Sequence, residues 1–167
     1  MSVLSGFSSA QIAALSTSQI AGYLPSDIAG LSTTEIASLT STQIGALTLA
    51  QLGALGTAQI LAIETRDIAG LTSTQLAALD SAQLTTLRAD QIAALSSAQL
   101  RALSNTQIAQ LTTSQITAIK ATDIATLSNP QIAALTAAQI VRLTSAQIAA
   151  LTSTQLQAIT PDNVKLL

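Results

Sequence analysis

Side chains that could carry out catalysis or hold a metal are scarce in this chain of 167 residues, which contains no Cys and no His. It therefore has no thiol nucleophile, imidazole base or disulfide, and it lacks the usual ligands of zinc and haem iron. Ser and Thr are abundant, but a hydroxyl nucleophile of the triad type needs a His partner. There is also no Gly-rich phosphate-binding loop. We therefore expect no enzyme, no cofactor and no metal, and no catalytic, cofactor-binding or metal-ligating residue.

Two groups of charged residues are the remaining candidates for acid–base chemistry. Asp27 and Glu35 lie eight residues apart and could form a carboxylate pair, while Glu64, Arg66 and Asp67 form the densest charge cluster. Both groups fall where the repeat pattern predicts the start of a helix. We therefore interpret Asp27 and Glu35 as helix caps, and the cluster as a salt-bridged first turn.

Charge is sparse along the chain. Lys and Arg number six and Asp and Glu eight, so charged residues make up 8%, against about 25% in an average protein. No basic residue precedes Arg66, so we expect no nucleic-acid partner. Hydrophobic residues make up 49%, but Ser, Thr or Gln interrupts every apolar run well before the ~20 residues that cross a bilayer. We therefore expect no membrane insertion.

A repeat of eight residues dominates the sequence. From Leu4 to Val164 every eighth residue is aliphatic, and a second large apolar series runs from Phe7 to Leu167. The unit, which we call an octad, reads Leu-Ser/Thr-x-x-Gln-Ile-Ala-x and occurs about twenty times. Gln occupies fifteen of the nineteen positions that precede the first series, from position 11 to 155. The four exceptions are Asp27, Glu35, Asp67 and Asp123.

Neither a continuous helix nor a strand fits an octad. At about 100° per residue, eight residues rotate the apolar pair by roughly 80° per repeat, so the apolar stripe would wind around a continuous helix. Supercoiling cannot correct this, because a period of about 4.0 residues per turn is far from that of coiled coils. Ala and Gln are poor strand formers, and no turn residue recurs in each octad.

A short helix in each octad fits every position. Ser or Thr forms the N-cap, and Gln at the third helical position (N3) completes a capping box. The Leu before the cap and the Ile after the Gln form a hydrophobic staple. Pro25 and Pro161 occupy the first helical position and Pro130 the second, where no helical N–H bond is lost. The sequence predicts an all-α solenoid of about twenty very short helices, one per octad, with the two apolar rows lining its interior.

Four predicted N-caps are not Ser, Thr, Asp or Gly, and an Asp follows each within two or three residues. We expect this Asp to replace the lost cap, because a carboxylate in the first turn accepts free N–H groups. On this hypothesis Asp67→Ala costs more stability than Gln75→Ala. The four pairs are Leu24 with Asp27, Glu64 with Asp67, Arg88 with Asp90, and Lys120 with Asp123.

No change of composition divides the chain, so we predict a single repeat domain over residues 1–167. Within it, residues 1–7 form an N-terminal cap, residues 8–159 the octads and residues 160–167 a C-terminal cap. A single octad cannot be stable, because isolated helices shorter than about 12 residues are marginal in water. Stability must come from the stacking of neighbouring octads.

Runs such as 104–111 and 144–151 resemble the octapeptide arrays of very large bacterial exoproteins, which are often described as adhesin-like or as heme utilisation or adhesion proteins. The resemblance covers nearly the whole chain and implies a bacterial secreted or cell-surface stalk or spacer, located outside the cell or on its surface. It brings no catalytic residue. The heme part of the description has no support in the residues, because Met1 and Tyr23 are poor candidates for ligation.

Two non-enzymatic functions remain open. The first is a structural rod or spacer that positions other modules or mediates adhesion, with an unknown protein or surface as its partner. The second is a regular Ser/Thr-rich surface that binds an identical chain, a polymer or ice; a designed repeat protein is a further alternative. Residues 36–63 carry no charge, so this stretch could hold a partner-binding or self-association face.

Overall fold

The computed structural model describes residues 3–4 and 6–159, and in this part of the chain it is all-α, without strands. The predicted solenoid of very short helices is confirmed, with one helix per octad and four to six residues in each helix. The chain forms two compact units, Met1–Leu87 and Arg88–Leu167. The helices of the first unit are α1 Ser9–Ala13, α2 Thr17–Gly22, α3 Pro25–Ala29, α4 Thr33–Ala37, α5 Ser41–Ala46, α6 Leu49–Ala54, α7 Thr57–Ala62, α8 Thr65–Ile68, α9 Ser73–Ala78 and α10 Ser81–Thr86.

The second unit continues the same pattern. Residues 160–167, which include the predicted C-terminal cap and Pro161, lie outside the described residues, as do residues 1, 2 and 5 of the predicted N-terminal cap. The prediction of one domain over 1–167 stays a prediction. The helices of the second unit are α11 Ala89–Ala93, α12 Ser97–Ala102, α13 Asn105–Gln110, α14 Thr113–Ala118, α15 Ala121–Ile124, α16 Asn129–Ala133, α17 Ala137–Ile140, α18 Ser145–Ala150 and α19 Ser153–Ala158.

Most of the described helices begin with the predicted cap. In α9, the Thr72 hydroxyl accepts a hydrogen bond from the Gln75 backbone N–H at 3.1 Å. The Gln75 side-chain oxygen in turn accepts from the Thr72 N–H at 2.7 Å. An N-cap side chain accepts such a bond in fourteen of the nineteen described helices. The capping box is therefore the element that restarts the helix in most octads, although α8 and α15 begin without one.

In eleven of the nineteen described helices the C-cap residue is already extended, with ψ between 126° and 154°, and in the other eight it is still helical. At the end of α5, the Leu47 N–H donates to the Ile44 carbonyl at 3.2 Å. Leu47 then has ψ 134° and the next N-cap, Thr48, has ψ 160°. Left-handed backbone is not needed, since among the described residues only Gly6 has a positive φ, 96°. Two extended residues are enough to turn the chain from one helix into the next.

Helices stack at a regular interval. In each unit a helix packs against the third helix along the chain, as α3 does on α6 and α11 on α14. One turn of the solenoid therefore contains about three helices. This stacking buries the Ile row, for example Ile44, and the Leu row, for example Leu47, at the centre of each unit. The prediction that the two rows line a shared dry interior is thus confirmed within each unit.

One pair of helices approaches unusually closely. A Cβ built on Gly45 of α5 would lie 2.7 Å from the carbonyl oxygen of Gly70, which follows α8. A Cβ on Gly70 would overlap the Ser41 carbonyl. Only glycine fits at these two positions, because any side chain would push α8 away from α5.

Candidate functional site

The Gln at position N3 makes a second set of hydrogen bonds that the capping box does not require. While the Gln43 side-chain oxygen accepts from the Thr40 N–H at 2.9 Å, its amide nitrogen donates to two carbonyls on the preceding turn of the solenoid. These are the Ile12 carbonyl at 2.9 Å and the Leu15 carbonyl at 2.7 Å, which belong to the end of α1. One amide thus caps the start of its own helix and the end of the helix four places earlier.

We call the residues that share this arrangement the glutamine row. In each member the amide nitrogen donates to backbone carbonyls 28 to 31 positions earlier, at 2.6 to 3.3 Å. All but Gln59 are buried. Its members are Gln43, Gln51, Gln59, Gln75, Gln83, Gln131, Gln139, Gln147 and Gln155.

The sequence analysis assigned Gln to the capping box and missed this second role. A signal was present, because a capping box accepts Glu as readily as Gln, yet Gln occupies fifteen of nineteen positions and Glu one. The ionised carboxylate of Glu can only accept, whereas the amide of Gln accepts from an N–H and donates to carbonyls at the same time. Buried side-chain nitrogen and oxygen atoms all have partners in the described part of the chain, so the row is fully satisfied.

Asp27 and Glu35 act as caps, as predicted. The two Asp27 oxygens accept from the Val3 N–H at 2.9 Å and the Leu24 N–H at 3.3 Å. Glu35 accepts from the Ser32 N–H at 2.6 Å and from the Ser32 hydroxyl at 2.8 Å. Both carboxylates are thus engaged with groups at helix starts, and this arrangement does not present them as an acid–base pair.

The cluster of Glu64, Arg66 and Asp67 is a salt-bridged first turn, as predicted. Arg66 lies 2.6 Å from Glu64 and 3.2 Å from Asp67, measured between the closest nitrogen and oxygen atoms. Arg88 and Asp90 form a second ion pair at 3.0 Å. Because the side chains of Arg66, Arg88 and Asp90 are largely exposed, these pairs add little stability.

The hypothesis that an Asp replaces each lost cap holds at Asp27 and not at Asp67 or Asp123. Asp67 contacts the Arg66 side chain, and Asp123 accepts from the Ser97 hydroxyl at 2.6 Å. Neither forms a capping box with its N-cap residue. The order of Asp67→Ala and Gln75→Ala stays untested, but the contacts now lead us to expect the larger loss at Gln75, because its side chain bonds two helices.

Residues with hydroxyl groups recur at two helix positions, the N-cap and N2, on the outside of each unit. The second helical position (N2) is exposed in every described helix, and the N-cap is exposed in all but Glu64. Most residues at these positions are Ser, Thr or Ala. Hydroxyls at the two positions form hydrogen bonds with each other at the starts of α2 and α5. The hydroxyl oxygens of Ser16 and Ser18 lie 3.0 Å apart, as do those of Thr40 and Thr42. We call these positions the hydroxyl rows; they offer regular hydrogen-bonding groups.

The remaining predicted positions lie in the following places. Phe7 and Tyr23, predicted as core residues, are half-buried. The uncharged stretch 36–63 contains two exposed leucines, Leu49 and Leu61. Among the described residues no three acidic, Cys or His side chains come together as metal ligands would, and no pocket forms. No described helix has the length and apolar character to cross a bilayer.

A model of a repeat family, described as the ALTTAQ repeat, matches five stretches, four of which overlap, and together they cover more than half of the chain. No curated protein matches it. The matched stretches are residues 25–57, 60–97, 93–129, 116–153 and 124–161.

Proposed function

Because the chain belongs to the ALTTAQ repeat family, we propose that it is a non-catalytic spacer within a bacterial secreted or cell-surface protein of the adhesin-like class. The coarser part, a structural repeat module, follows from the family and the repeated helices. The spacer role, the adhesin-like context and the location outside the cell are our proposals.

The glutamine row is the observation that supports a spacer. Gln is the polar residue that recurs most regularly in this chain, and its side chain forms hydrogen bonds within the fold, as at Gln75 and Gln139. A residue used in this way is not available to a substrate. The absence of His and Cys from the sequence supports the further proposal that the chain is not an enzyme.

A spacer should set a distance that depends on the number of octads. Because the chain has no Cys, Ala10→Cys and Ala82→Cys provide two unique and exposed sites within the first unit for a pair of fluorescent dyes. We expect the dye separation to fall linearly as one, two and three whole octads are removed between them. Square-root scaling, typical of a flexible linker, would contradict the spacer role.

The location is tested separately. An antibody against the chain should bind intact cells of the source organism, or detect the protein in the culture fluid, and protease added to intact cells should remove the cell-bound signal. Detection only after lysis would refute a secreted or surface location.

The hydroxyl rows favour a second candidate function, the binding of a repetitive ligand such as ice or a polysaccharide. Thr34 and Thr74 are examples of exposed N2 hydroxyls on the outside of the first unit. An ice-recrystallisation assay and sedimentation with insoluble polysaccharide test this candidate directly. A variant with N2 hydroxyls replaced by Ala provides the matched control, and equal activity of the two proteins would reject the rows as the binding surface.

A further inference from the structure

Octad 64–71 lacks hydrogen bonds that the next octad makes to the turn beneath it. In that next octad, the amide nitrogen of Gln75 donates to the Leu47 carbonyl at 2.7 Å. The same position of octad 64–71 holds Asp67, and an ionised carboxylate accepts hydrogen bonds but donates none. The start of α8 therefore has no side-chain amide with which to bind the residues that follow α4.

The carbonyl of Leu39, just after the end of α4, is the group that loses its donor. Leu39 lies eight residues before Leu47 and corresponds to it in the repeat, but its carbonyl accepts no hydrogen bond within the described residues. Leu39 is 1% exposed, which also keeps its backbone away from water. A buried carbonyl without a partner is destabilising, because it loses its hydrogen bonds to water and gains none in exchange.

Local capping does not compensate for this loss. Asp67 forms no capping box with Glu64. At the same position of α3, Asp27 does accept from the Leu24 N–H, at 3.3 Å. Asp67 is 7% exposed, and the group that it binds is Arg66, whose side chain is 76% exposed. Because an ion pair with so exposed a partner adds little stability, the start of α8 is held more weakly than that of α9.

The octads on either side of octad 64–71 are bonded to the turn beneath them without its help. Gln59 in α7 donates to the Leu31 carbonyl at 2.6 Å. Gln75 in α9 donates to the Leu47 carbonyl. Neither bond involves a residue of octad 64–71, so both persist when that octad opens. Opening brings water to the buried carboxylate and carbonyl described above, which lowers its free-energy cost relative to the opening of another octad.

We propose that octad 64–71 opens locally while the rest of the first unit stays folded, and that this opening makes it a cleavage site for an endoprotease specific for Lys and Arg. Arg66 is the second residue of α8 and the only basic residue of the first unit, so within this unit such a protease cuts there alone. It adds one water molecule across the peptide bond between Arg66 and Asp67, which leaves a carboxyl group on Arg66 and an amino group on Asp67. The opening supplies the extended backbone that a protease needs. This inference goes beyond the spacer role and does not depend on it.

Limited digestion of the variant Thr74→Arg with trypsin compares two octads of the same unit in one molecule. The substitution places an arginine at the exposed N2 position of α9, which corresponds to that of Arg66 in α8. The rate at each bond is divided by the rate for an unfolded synthetic peptide of the same local sequence, so that the sequence preferences of trypsin cancel. We expect this ratio to be at least about tenfold higher after Arg66 than after position 74, because proteolysis of a folded protein follows the population of the open form. Equal ratios overturn the proposal.

The variant Asp67→Gln restores the missing amide. Its oxygen can accept from the Glu64 N–H and its nitrogen can donate to the Leu39 carbonyl, as the glutamine row does elsewhere. We expect the normalised rate after Arg66 to fall at least about tenfold. The matched control is Asp123→Gln, the same change at the same position of α15 in the second unit, and it should leave that rate unchanged. The proposal fails if Asp67→Gln leaves the rate unchanged, or if the two variants lower it equally.

Hydrogen exchange detects the opening without a protease. The Ile68 N–H of α8 and the Leu76 N–H of α9 are matched, because they donate to backbone carbonyls at 2.9 and 3.0 Å and both residues are 0% exposed. After correction for intrinsic exchange rates, we expect the Ile68 amide of the wild type to exchange at least about tenfold faster than that of Leu76. Equal exchange at the two amides would show that α8 opens no more readily than α9, and would overturn the proposal.

Discussion

The amide of Gln75 holds together two parts of the first unit that are 28 to 31 positions apart in the chain. Its oxygen accepts from Thr72 and its nitrogen donates to Ile44 and Leu47, so a single buried side chain satisfies the start of one helix and the end of another. A buried polar group left without a partner costs about 1–3 kcal/mol, which makes this position sensitive to small chemical changes.

The change Gln75→Glu tests this role. It keeps the oxygen that caps Thr72 but places a carboxylate against the Ile44 and Leu47 carbonyls, so we expect the free energy of unfolding to fall by about 3 kcal/mol in urea denaturation at pH 7. The deficit should shrink at acid pH, because the protonated carboxyl regains one donor.

The matched control is Gln19→Glu, which makes the same change at an exposed residue whose amide nitrogen has no partner in the described part of the chain. We expect it to change the free energy of unfolding by less than about 0.5 kcal/mol. Equal losses in the free energy of unfolding for the two variants would show that the hydrogen bonds between turns contribute nothing to stability.

At the scale of the helix, the sequence was sufficient to predict the starts. Ser16, Thr72 and the other capping residues identify the beginning of a helix by local hydrogen bonding alone, which needs no knowledge of distant contacts. The number of helices per turn could not be predicted, because it depends on how helices such as α3 and α6 pack across the interior. The hydrogen bonds from Gln75 to the Ile44 and Leu47 carbonyls depend on the number of helices per turn, so the sequence could not predict them either.

The spacing between helices also depends on side-chain size, and Gly70→Ala tests it. The added methyl group would overlap the Ser41 carbonyl, so we expect the free energy of unfolding to fall by about 2–3 kcal/mol. Gly53→Ala is the control, because its Cβ would meet no atom within 4 Å and Ala is favoured within α6. That variant should be neutral or up to about 1 kcal/mol more stable in the same urea titration.

For the whole molecule, the repeat predicts which changes of length are tolerated. Deletion of residues 104–111 removes one octad and leaves both apolar rows in phase, so we expect a folded protein with one cooperative transition. Deletion of residues 104–107 removes half an octad and shifts each later Ile and Leu out of its row. We expect this variant to lose about 3 kcal/mol or more, because aliphatic side chains leave the core. Thermal unfolding followed by circular dichroism measures the stability of both variants. Equal losses of stability would show that keeping the Ile and Leu rows in phase does not matter.

The partners of the glutamine row are backbone carbonyls rather than particular side chains. The amide of a Gln octad therefore needs no matching side chain in the octad beneath it. A gene that gains or loses copies of the unit through unequal recombination would still encode a foldable product. Array length can in this way change over generations without a period of compensating mutation, and selection is free to act on length alone.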